Sequence, residues 1–179
     1  RSDTDVTPKR RHSAMPSSAE ALAARVRDIN PDCTVIPLTE RYEADTRERF
    51  FSHPCSYIAD AIDLVSCKLD LIQTAKSRDI PIISALGTGN KLDASLFRVT
   101  DISKTEGCPL ARVVRKELRA RGIQHHKVVF SPEPARAAGP AGETPPPGRR
   151  TIPASVPWVP AVAGLLMAGE IILDLTHTE

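Results

Sequence analysis

The sequence is short of aromatic residues, of net charge and of cysteines at metal-binding spacing. Aromatic residues make up 4% of the 179 positions, which argues against binding of nucleic acid by stacking bases on aromatic rings. The net charge is +2, so contact with a polyanion would have to come from a local cluster of basic residues. No CxxC pair occurs and no secretory signal is visible, so we expect no structural zinc and reduced cytosolic thiols. The four cysteines are Cys33, Cys55, Cys67 and Cys108.

Composition divides the chain into four parts. Residues 1–16 contain basic residues and prolines but few large apolar side chains, which predicts an extended arm. Residues 17–130 alternate short apolar runs with helical patterns, whereas residues 131–157 hold eight prolines and predict a surface loop. Residues 158–179 predict an apolar helix that packs on the same domain. Glu170 and Asp174 interrupt its apolar run, which leaves too short a stretch to span a bilayer.

The alternation in residues 17–130 predicts a mostly parallel sheet covered by helices. Ser17 followed by Glu20 forms a capping-box pattern, which predicts a helix ending before Pro31. Strands are predicted at residues 33–36, 56–59, 81–86, 97–102 and 127–130. Further helices are predicted over residues 43–51, after a cap at Asp63, from Pro109 and through the apolar carboxyl-terminal segment.

Three short segments stand where ligands bind in open parallel sheets, just after a strand or at the start of a helix. Asp63 follows a strand and could hold Mg²⁺ on a triphosphate, or it could simply cap the next helix. The segment from Gly87 to Lys91 could present backbone amides to an anion, or it could be an ordinary turn. Cys108 precedes Pro109 at a helix start, where a thiol pKa is lowered, or it could be a small half-buried residue. Asp101 could also reach a ligand, or it could be a solvated surface charge.

A row of basic residues occupies one face of the helix that follows Pro109. Its members are spaced at i, i+3, i+4 and i+7, which places them side by side on that helix. Such a face is commonly just solvated, but it could also contact phosphates. The row consists of Arg112, Arg115, Lys116 and Arg119.

Taken in order, several segments resemble the tRNA threonylcarbamoyladenosine dehydratases, a branch of the ThiF and MoeB superfamily related to ubiquitin-activating enzymes. The resemblance runs from about residue 17 to the carboxyl terminus. The segments that carry it are residues 25–33, 60–63 (Asp-Ala-Ile-Asp), 87–93 (Gly-Thr-Gly-Asn-Lys-Leu-Asp), 99–102 with 104–105, and 108–111 (Cys-Pro-Leu-Ala).

The resemblance implies a doubly wound, Rossmann-like sheet and two cofactors, ATP and Mg²⁺. It also implies that the protein is a homodimer in the cytoplasm and does not bind a membrane. The implied reaction activates the carboxylate of threonylcarbamoyladenosine by adenylation, in the anticodon arm of tRNA, and then closes a ring with loss of water. Asp63 would serve ATP and Mg²⁺, together with Asp5 and Arg11. Gly87, Gly89, Asn90, Lys91 and Asp101 would form a substrate loop, and the basic row would bind tRNA. No catalytic residue and no sulfur-transfer or redox partner is assigned.

The sequence departs from this family at the nucleotide-binding loop. No Gly-rich loop occurs in the chain, and with it the amides that cradle phosphate are missing. We therefore expect an incomplete sheet, in a chain that is either the carboxyl-terminal portion of such an enzyme or a degraded or mis-assembled copy, and that is not a competent enzyme by itself. Two alternatives stay open. One is an adenylyltransferase of a small carrier protein, against which the missing CxxC pairs argue, and the other is a non-catalytic binding or dimerisation module.

Overall fold

Residues 17–136 and 154–177 are described by a computed structural model. The chain separates into two units, Arg1–Tyr42 and Glu43–Glu179, and each is considered by itself. The predicted arm, with Asp5 and Arg11, lies outside the described residues, as does most of the Pro-rich segment. The four-part division made from composition stays a prediction.

The first unit contains helix α1, Ser18–Ile29. The predicted capping box is confirmed, because the Glu20 amide donates to Ser17 Oγ at 3.3 Å and the Ser17 amide donates to Glu20 Oε2 at 2.8 Å. The predicted strand at residues 33–36 is wrong. A β-branched run forms a strand only with a partner, and instead the Arg27 side chain donates to the carbonyl of Val35 at 2.8 Å.

The second unit is built on a four-stranded sheet. Its strands are β1 (Ile58–Asp60), β2 (Ile82–Ala85), β3 (Arg98–Asp101) and β4 (Lys127–Phe130), in the spatial order β1-β2-β4-β3. The first three neighbours, β1, β2 and β4, are parallel, with Asp60 beside Ser84 and Ser84 beside Val128. Strand β3 runs antiparallel to β4. The sheet is therefore mostly parallel, as predicted.

Four α-helices belong to the described part of the second unit. Helix α2 spans Arg47–Phe50, a single turn where residues 43–51 were predicted, and α3 spans Val65–Ser77. Helix α4, Pro109–Ala120, begins with proline at its first turn as predicted and is followed by Gly122 at φ 77°. Helix α5 spans Trp158–Thr176. Two short 3₁₀ helices, Ala94–Leu96 and Ile102–Lys104, flank β3.

The two faces of the sheet carry different helices, because successive side chains of a strand point to opposite faces. Ile83 and Val129 point to one face, where they form the hydrophobic core with Phe97 and with three residues of α5: Val159, Ala163 and Met167. Asp60 points to the other face, where it meets Lys68 of α3. The helices on both faces complete a layered α/β architecture.

The two acidic residues of α5 face the sheet and not the solvent. Lys127 of β4 donates to Glu170 at 2.7 Å and to Asp174 at 2.8 Å, and the Tyr57 hydroxyl donates to Asp174 at 2.6 Å. The bonds from Lys127 and Tyr57 lower the pKa of the Asp174 carboxyl. By length and composition α5 is the one helix among the described residues that could cross a membrane, which is weak grounds for such a role.

Candidate functional site

A cavity of about 620 Å³ opens at the carboxyl ends of β1 and β2. Residues 61–63 follow β1 and line one wall, and residues 86–89 follow β2 and line the next. The start of α4 and the first half of α5 complete it, through Cys108, Leu110, Pro160, Ala163, Gly164 and Met167. The carboxyl edge of neighbouring parallel strands is where ligands bind in open α/β sheets, so this cavity is the candidate site.

Asp63 lines the cavity and does not cap α3. The N-cap of α3 is Leu64, which makes no side-chain capping bond, so the predicted capping role of Asp63 is wrong. The helix begins at Val65, so the N-cap position falls on Leu64, one residue after Asp63. The Asp63 carboxylate attracts the buried ammonium of Lys68 and favours its charged form, raising the pKa of Lys68 against the larger lowering by burial.

The loop after β2 divides into residues that line the cavity and residues that brace the loop. Gly87, Gly89 and Lys91 line the cavity. The Lys91 ammonium, however, is buried and donates to the carbonyls of Ser131 at 2.9 Å and Glu133 at 2.6 Å. Burial lowers the pKa of Lys91, and the negative charges it faces oppose that lowering.

Asn90 is the turning point of the same loop, with a left-handed φ of 59°. Its amide donates to the carbonyl of Ala154 at 2.7 Å, and its side-chain oxygen accepts from the Ala154 amide at 2.8 Å. Its own carbonyl accepts from the Arg136 amide at 2.8 Å. Asn90 therefore joins the described segments before residue 137 and after residue 153, and its side chain is used for that connection.

Asp101 is separated from this loop by the length of the sheet. It ends β3, which is antiparallel to β4, and lies beside Lys127 at the start of β4. That is the edge opposite to the cavity. Its carboxylate accepts from the amides of Ser103 at 2.8 Å and His126 at 3.1 Å. The structure thus gives Asp101 a structural position and does not bring it to the predicted substrate loop.

Cys108 lies at the first turn of α4 and borders the cavity. Its side chain is buried, with 4% of the residue exposed. The sulfur would lie 3.8 Å from a Cβ added at Gly87, which is ordinary contact distance. The residue therefore packs between the loop after β2 and the start of α4.

We expect Cys108→Ser to be tolerated. The reaction that the resemblance implies, carboxylate adenylation followed by internal ring closure, needs no enzyme thiol. If the complete protein carries out that reaction, its turnover on modified tRNA should stay within about tenfold of the wild type. Cys55→Ser, at an exposed position, is the control for loss of a thiol elsewhere. A fall beyond about a hundredfold, roughly 2.7 kcal/mol in the barrier, would place Cys108 in the reaction.

The predicted basic row on α4 is only partly available to a ligand. Arg112, Lys116 and Arg119 are exposed. Arg115 is half-buried and donates to both the carbonyl and the hydroxyl oxygen of Thr105, each at 2.6 Å. Arg115 therefore fastens α4 to the loop after β3, a role that the helical spacing did not reveal.

Two buried polar groups were missed by the sequence analysis. Lys68 pairs with Asp60 at 2.6 Å, with both side chains fully buried. Its signal was a lysine on the apolar stripe of α3, three residues after Val65 and four before Ile72. His126 is buried, with Nε2 2.8 Å from Ser84 Oγ and no partner among the described residues for Nδ1. A histidine at the start of an apolar strand carried no comparable signal.

Comparison with known proteins places this chain in a family. The ThiF family model matches residues 10–179. A tRNA threonylcarbamoyladenosine dehydratase of Bacillus subtilis is 39% identical over 164 residues, which cover 87% of this chain and 65% of the relative. The tRNA threonylcarbamoyladenosine dehydratase 2 of Saccharomyces cerevisiae is 37% identical over 124 residues, which cover 66% of this chain and 28% of the relative.

A solved structure agrees with the sequence matches. The Escherichia coli tRNA N6-threonylcarbamoyladenosine dehydratase TcdA, in complex with AMP, superposes with a TM-score of 0.76 at 28% identity. The match covers 89% of this chain and 64% of TcdA. The chain thus spans just under two thirds of these two relatives. The predicted Rossmann-like fold and the predicted resemblance are confirmed, and the chain belongs to the ThiF family.

Proposed function

We propose that the complete protein uses ATP to cyclise threonylcarbamoyladenosine in tRNA with loss of water. The observation that carries this proposal is the cavity at the carboxyl ends of β1 and β2, with Asp63 on its wall, in a chain whose relatives carry that activity in their names. E. coli TcdA has been solved with AMP and with ATP, which supports ATP as co-substrate. The cytoplasmic location inferred from the sequence stays a prediction.

The proposed chemistry replaces a poor leaving group by a good one. A carboxylate oxygen of the substrate attacks the α-phosphorus of ATP, and pyrophosphate leaves. A nucleophilic atom of the carbamoyl group then attacks the acyl carbon, loses its proton and expels AMP. The oxygen of the water that is lost ends on AMP, so one ATP becomes AMP and pyrophosphate for each ring closed. The protein's part is to hold the reacting groups together and to neutralise charge.

The residues that line the cavity are compatible with this chemistry. Most lining residues are apolar, and an apolar lining offers few partners to water beside an activated acyl group, which would slow its hydrolysis. The Lys91 ammonium is already bonded to two carbonyls. Among the described residues, therefore, the cavity offers little positive charge for a triphosphate, which accords with the absence of a Gly-rich loop from the sequence.

We infer that Mg²⁺ accompanies ATP and is held at Asp63. Within residues 17–136 and 154–177 no three metal-binding side chains come together. A single carboxylate fits Mg²⁺, which in nucleotide sites takes one or two carboxylates and obtains its other ligands from phosphates and water. Mg²⁺ would supply charge neutralisation on the phosphates. Asp63 would orient it.

A direct assay tests the proposed function. The complete protein is incubated with ATP, Mg²⁺ and tRNA that carries threonylcarbamoyladenosine, and nucleosides are then analysed by mass spectrometry. We expect loss of one water from the modified nucleoside, with AMP formed in equal amount. The matched control is tRNA that lacks the modification. Equal AMP formation with both tRNAs would contradict the proposal.

The exposed cations of α4 support contact with tRNA. Arg112 lies one turn from the edge of the cavity at Cys108, and Lys116 and Arg119 continue along the helix. At a rise of about 1.5 Å per residue, the row from Arg112 to Arg119 is roughly 10 Å long. It is thus long enough to meet more than one phosphate of an RNA strand. We propose that this row holds the anticodon arm.

Reversing two of these charges should weaken tRNA binding. We expect Arg112→Glu with Lys116→Glu to lower affinity at least tenfold at low salt, because each phosphate that is no longer neutralised takes about 0.7–0.9 off the slope of log affinity against log salt. Filter binding at several salt concentrations measures both effects. Arg115 is spared because it holds Thr105.

The control for this experiment has the same change of charge away from α4. Arg25→Glu with Lys76→Glu replaces two exposed cations, one on α1 and one on α3. It should leave affinity and salt slope near those of the wild type. If both double variants weaken binding equally, the effect is one of net charge, and the α4 row is not the tRNA surface.

The outer face of α5 supports a homodimer. Because Glu170 and Asp174 face the sheet, the solvent side of this helix is apolar. Trp158, Leu165 and Ile172 are 53%, 72% and 59% exposed. They repeat every seven residues, with Ala161 and Ala168 between them and exposed Leu175 three residues after Ile172. A heptad seam of large and small apolar residues is the pattern by which one helix packs along another, so we propose that two copies pair along α5.

Charges placed in this seam should prevent pairing. We expect the wild type to be a dimer and Leu165→Glu with Ile172→Glu to give a monomer, because association of the variant would bury two unpaired carboxylates in each copy. Light scattering after size exclusion gives the mass. Val113→Glu, at an exposed apolar position of α4, should leave the dimer intact. A dimeric double variant would show that the seam is not the interface.

A further inference from the structure

The ion pair between Lys68 and Asp60 is too costly to be explained by stability alone. Its Nζ–Oδ2 distance is 2.6 Å, and both side chains are 0% exposed. Removing two charges from water costs several kcal/mol for each ion, and apolar residues of similar volume often replace such a pair with no loss of stability. The pair is therefore best understood through the groups that it holds.

Those groups are the two chain segments that line the cavity. Asp60 ends β1, and its second oxygen accepts from the amide of Ile62 at 2.9 Å. Lys68 also donates to the carbonyl of Ala85, the last residue of β2, at 3.0 Å. Hydrogen bonds thus connect the turn that carries Asp63 with the Asp60–Lys68 pair. The same pair is bonded to Ala85, which lies two residues before Gly87.

The charge of Lys68 acts on the same turn. Burial lowers the pKa of Lys68, and the nearby carboxylates of Asp60 and Asp63 oppose that lowering because each attracts the ammonium. Lys68 makes two strong charge-assisted bonds from within α3, whose neighbouring residues Cys67, Leu69, Leu71 and Ile72 are all buried. A buried helix anchors the ammonium more rigidly than a loop could. The ends of β1 and β2 are therefore fixed relative to each other at the point where the cavity begins.

We propose that Lys68 is a positioning residue, which through Asp60 and the Ala85 carbonyl sets the distance between Asp63 and the Gly87 loop. The catalytic part of this inference rests on the proposed function, since it takes Asp63 as the residue that serves ATP. The structural part does not, because it concerns only the order of residues 61–64 and 86–89.

The test uses a neutral pair of matched shape in the complete protein. Lys68→Met alone leaves the Asp60 carboxylate unpaired in the interior and can fail to fold. The double variant Asp60→Asn with Lys68→Met removes both charges and keeps an oxygen for the Ile62 amide. The same two kinds of change at an exposed pair, Arg25→Met with Asp28→Asn, form the control.

Hydrogen–deuterium exchange gives the first measurement. In the Asp60/Lys68 double variant we expect amides of residues 61–64 and 86–89 to exchange at least tenfold faster, while amides of β2 and β4 stay as in the wild type. The control pair should change neither. Unaltered exchange in both loops would overturn the inference, whether or not the protein is an active dehydratase.

Turnover gives the second measurement. We expect the Asp60/Lys68 double variant to lose at least tenfold in kcat with KM for ATP within twofold, and to need more Mg²⁺ for half-maximal rate. Normal kcat and normal Mg²⁺ dependence would show that the pair does not position the site. A wild type that forms no AMP from modified tRNA contradicts the proposed function itself, and exchange then decides the role of Lys68.

Discussion

Asp63→Asn should reduce turnover of the complete protein at least a hundredfold, roughly 2.7 kcal/mol in the barrier, while the fold is kept. Asparagine has the shape of aspartate and keeps one acceptor oxygen, but it lacks the charge that would attract Mg²⁺ and favour the charged Lys68. The N-cap of α3 is Leu64, which makes no side-chain capping bond, and asparagine accepts hydrogen bonds from helix-start amides as aspartate does, so the start of α3 should be kept. Single-turnover dehydration of modified tRNA, together with thermal unfolding, measures both quantities.

The control is Asp79→Asn, at an exposed residue with a left-handed φ of 54°. Asparagine adopts this conformation readily, so both activity and unfolding temperature should match the wild type. Two results would count against the proposed role of Asp63. One is near-normal turnover of Asp63→Asn, and the other is a loss of turnover that follows a loss of folded protein.

Acidification should unfold the protein in part through His126. Burial lowers the pKa of this imidazole from 6.5 to about 3, with help from the positive charges of Lys76 and Lys68 and against the attraction of Asp101. Below pH 6.5 this imidazole becomes protonated in the unfolded chain. In the folded chain it stays neutral until the pH approaches its lowered pKa of about 3. Stability therefore falls as the pH is lowered from about 6.5 towards 3, by on the order of 4 kcal/mol over the whole window.

His126→Gln isolates this contribution, because glutamine is neutral throughout the window and can still bond to Ser84. We expect its free energy of unfolding, measured in urea at intervals between pH 7 and pH 4, to fall less steeply than that of the wild type. The matched control is His53→Gln, which removes an exposed imidazole outside the sheet and should leave the His126-dependent fall in stability in place. Parallel profiles for His126→Gln and the wild type would refute the prediction.

Local sequence patterns predicted much of the fold and part of the candidate site. The capping box at Ser17, the proline that starts α4 and the apolar runs of β2 and β4 depend on neighbours in sequence, so their positions could be predicted. Asp63 and the glycines after β2 were found by the same logic, because parallel strands bring their carboxyl ends to one edge. The family resemblance, which rests on the order of such segments, was confirmed as well.

Contacts distant in sequence were decided by the tertiary structure alone. The β-branched run at residues 33–36 could not show that no strand among the described residues pairs with it. Asp101 could not reveal that an antiparallel β3 carries it to the opposite edge. Helical spacing predicted the same tRNA-binding role for Arg115 as for Lys116. In the structure the Arg115 guanidinium is half-buried and donates to Thr105. The interruption of α5 by Glu170 and Asp174 was plain in the sequence. That these charges face Lys127 and leave the apolar side to the solvent depends on how α5 packs across the sheet, which no local pattern encodes.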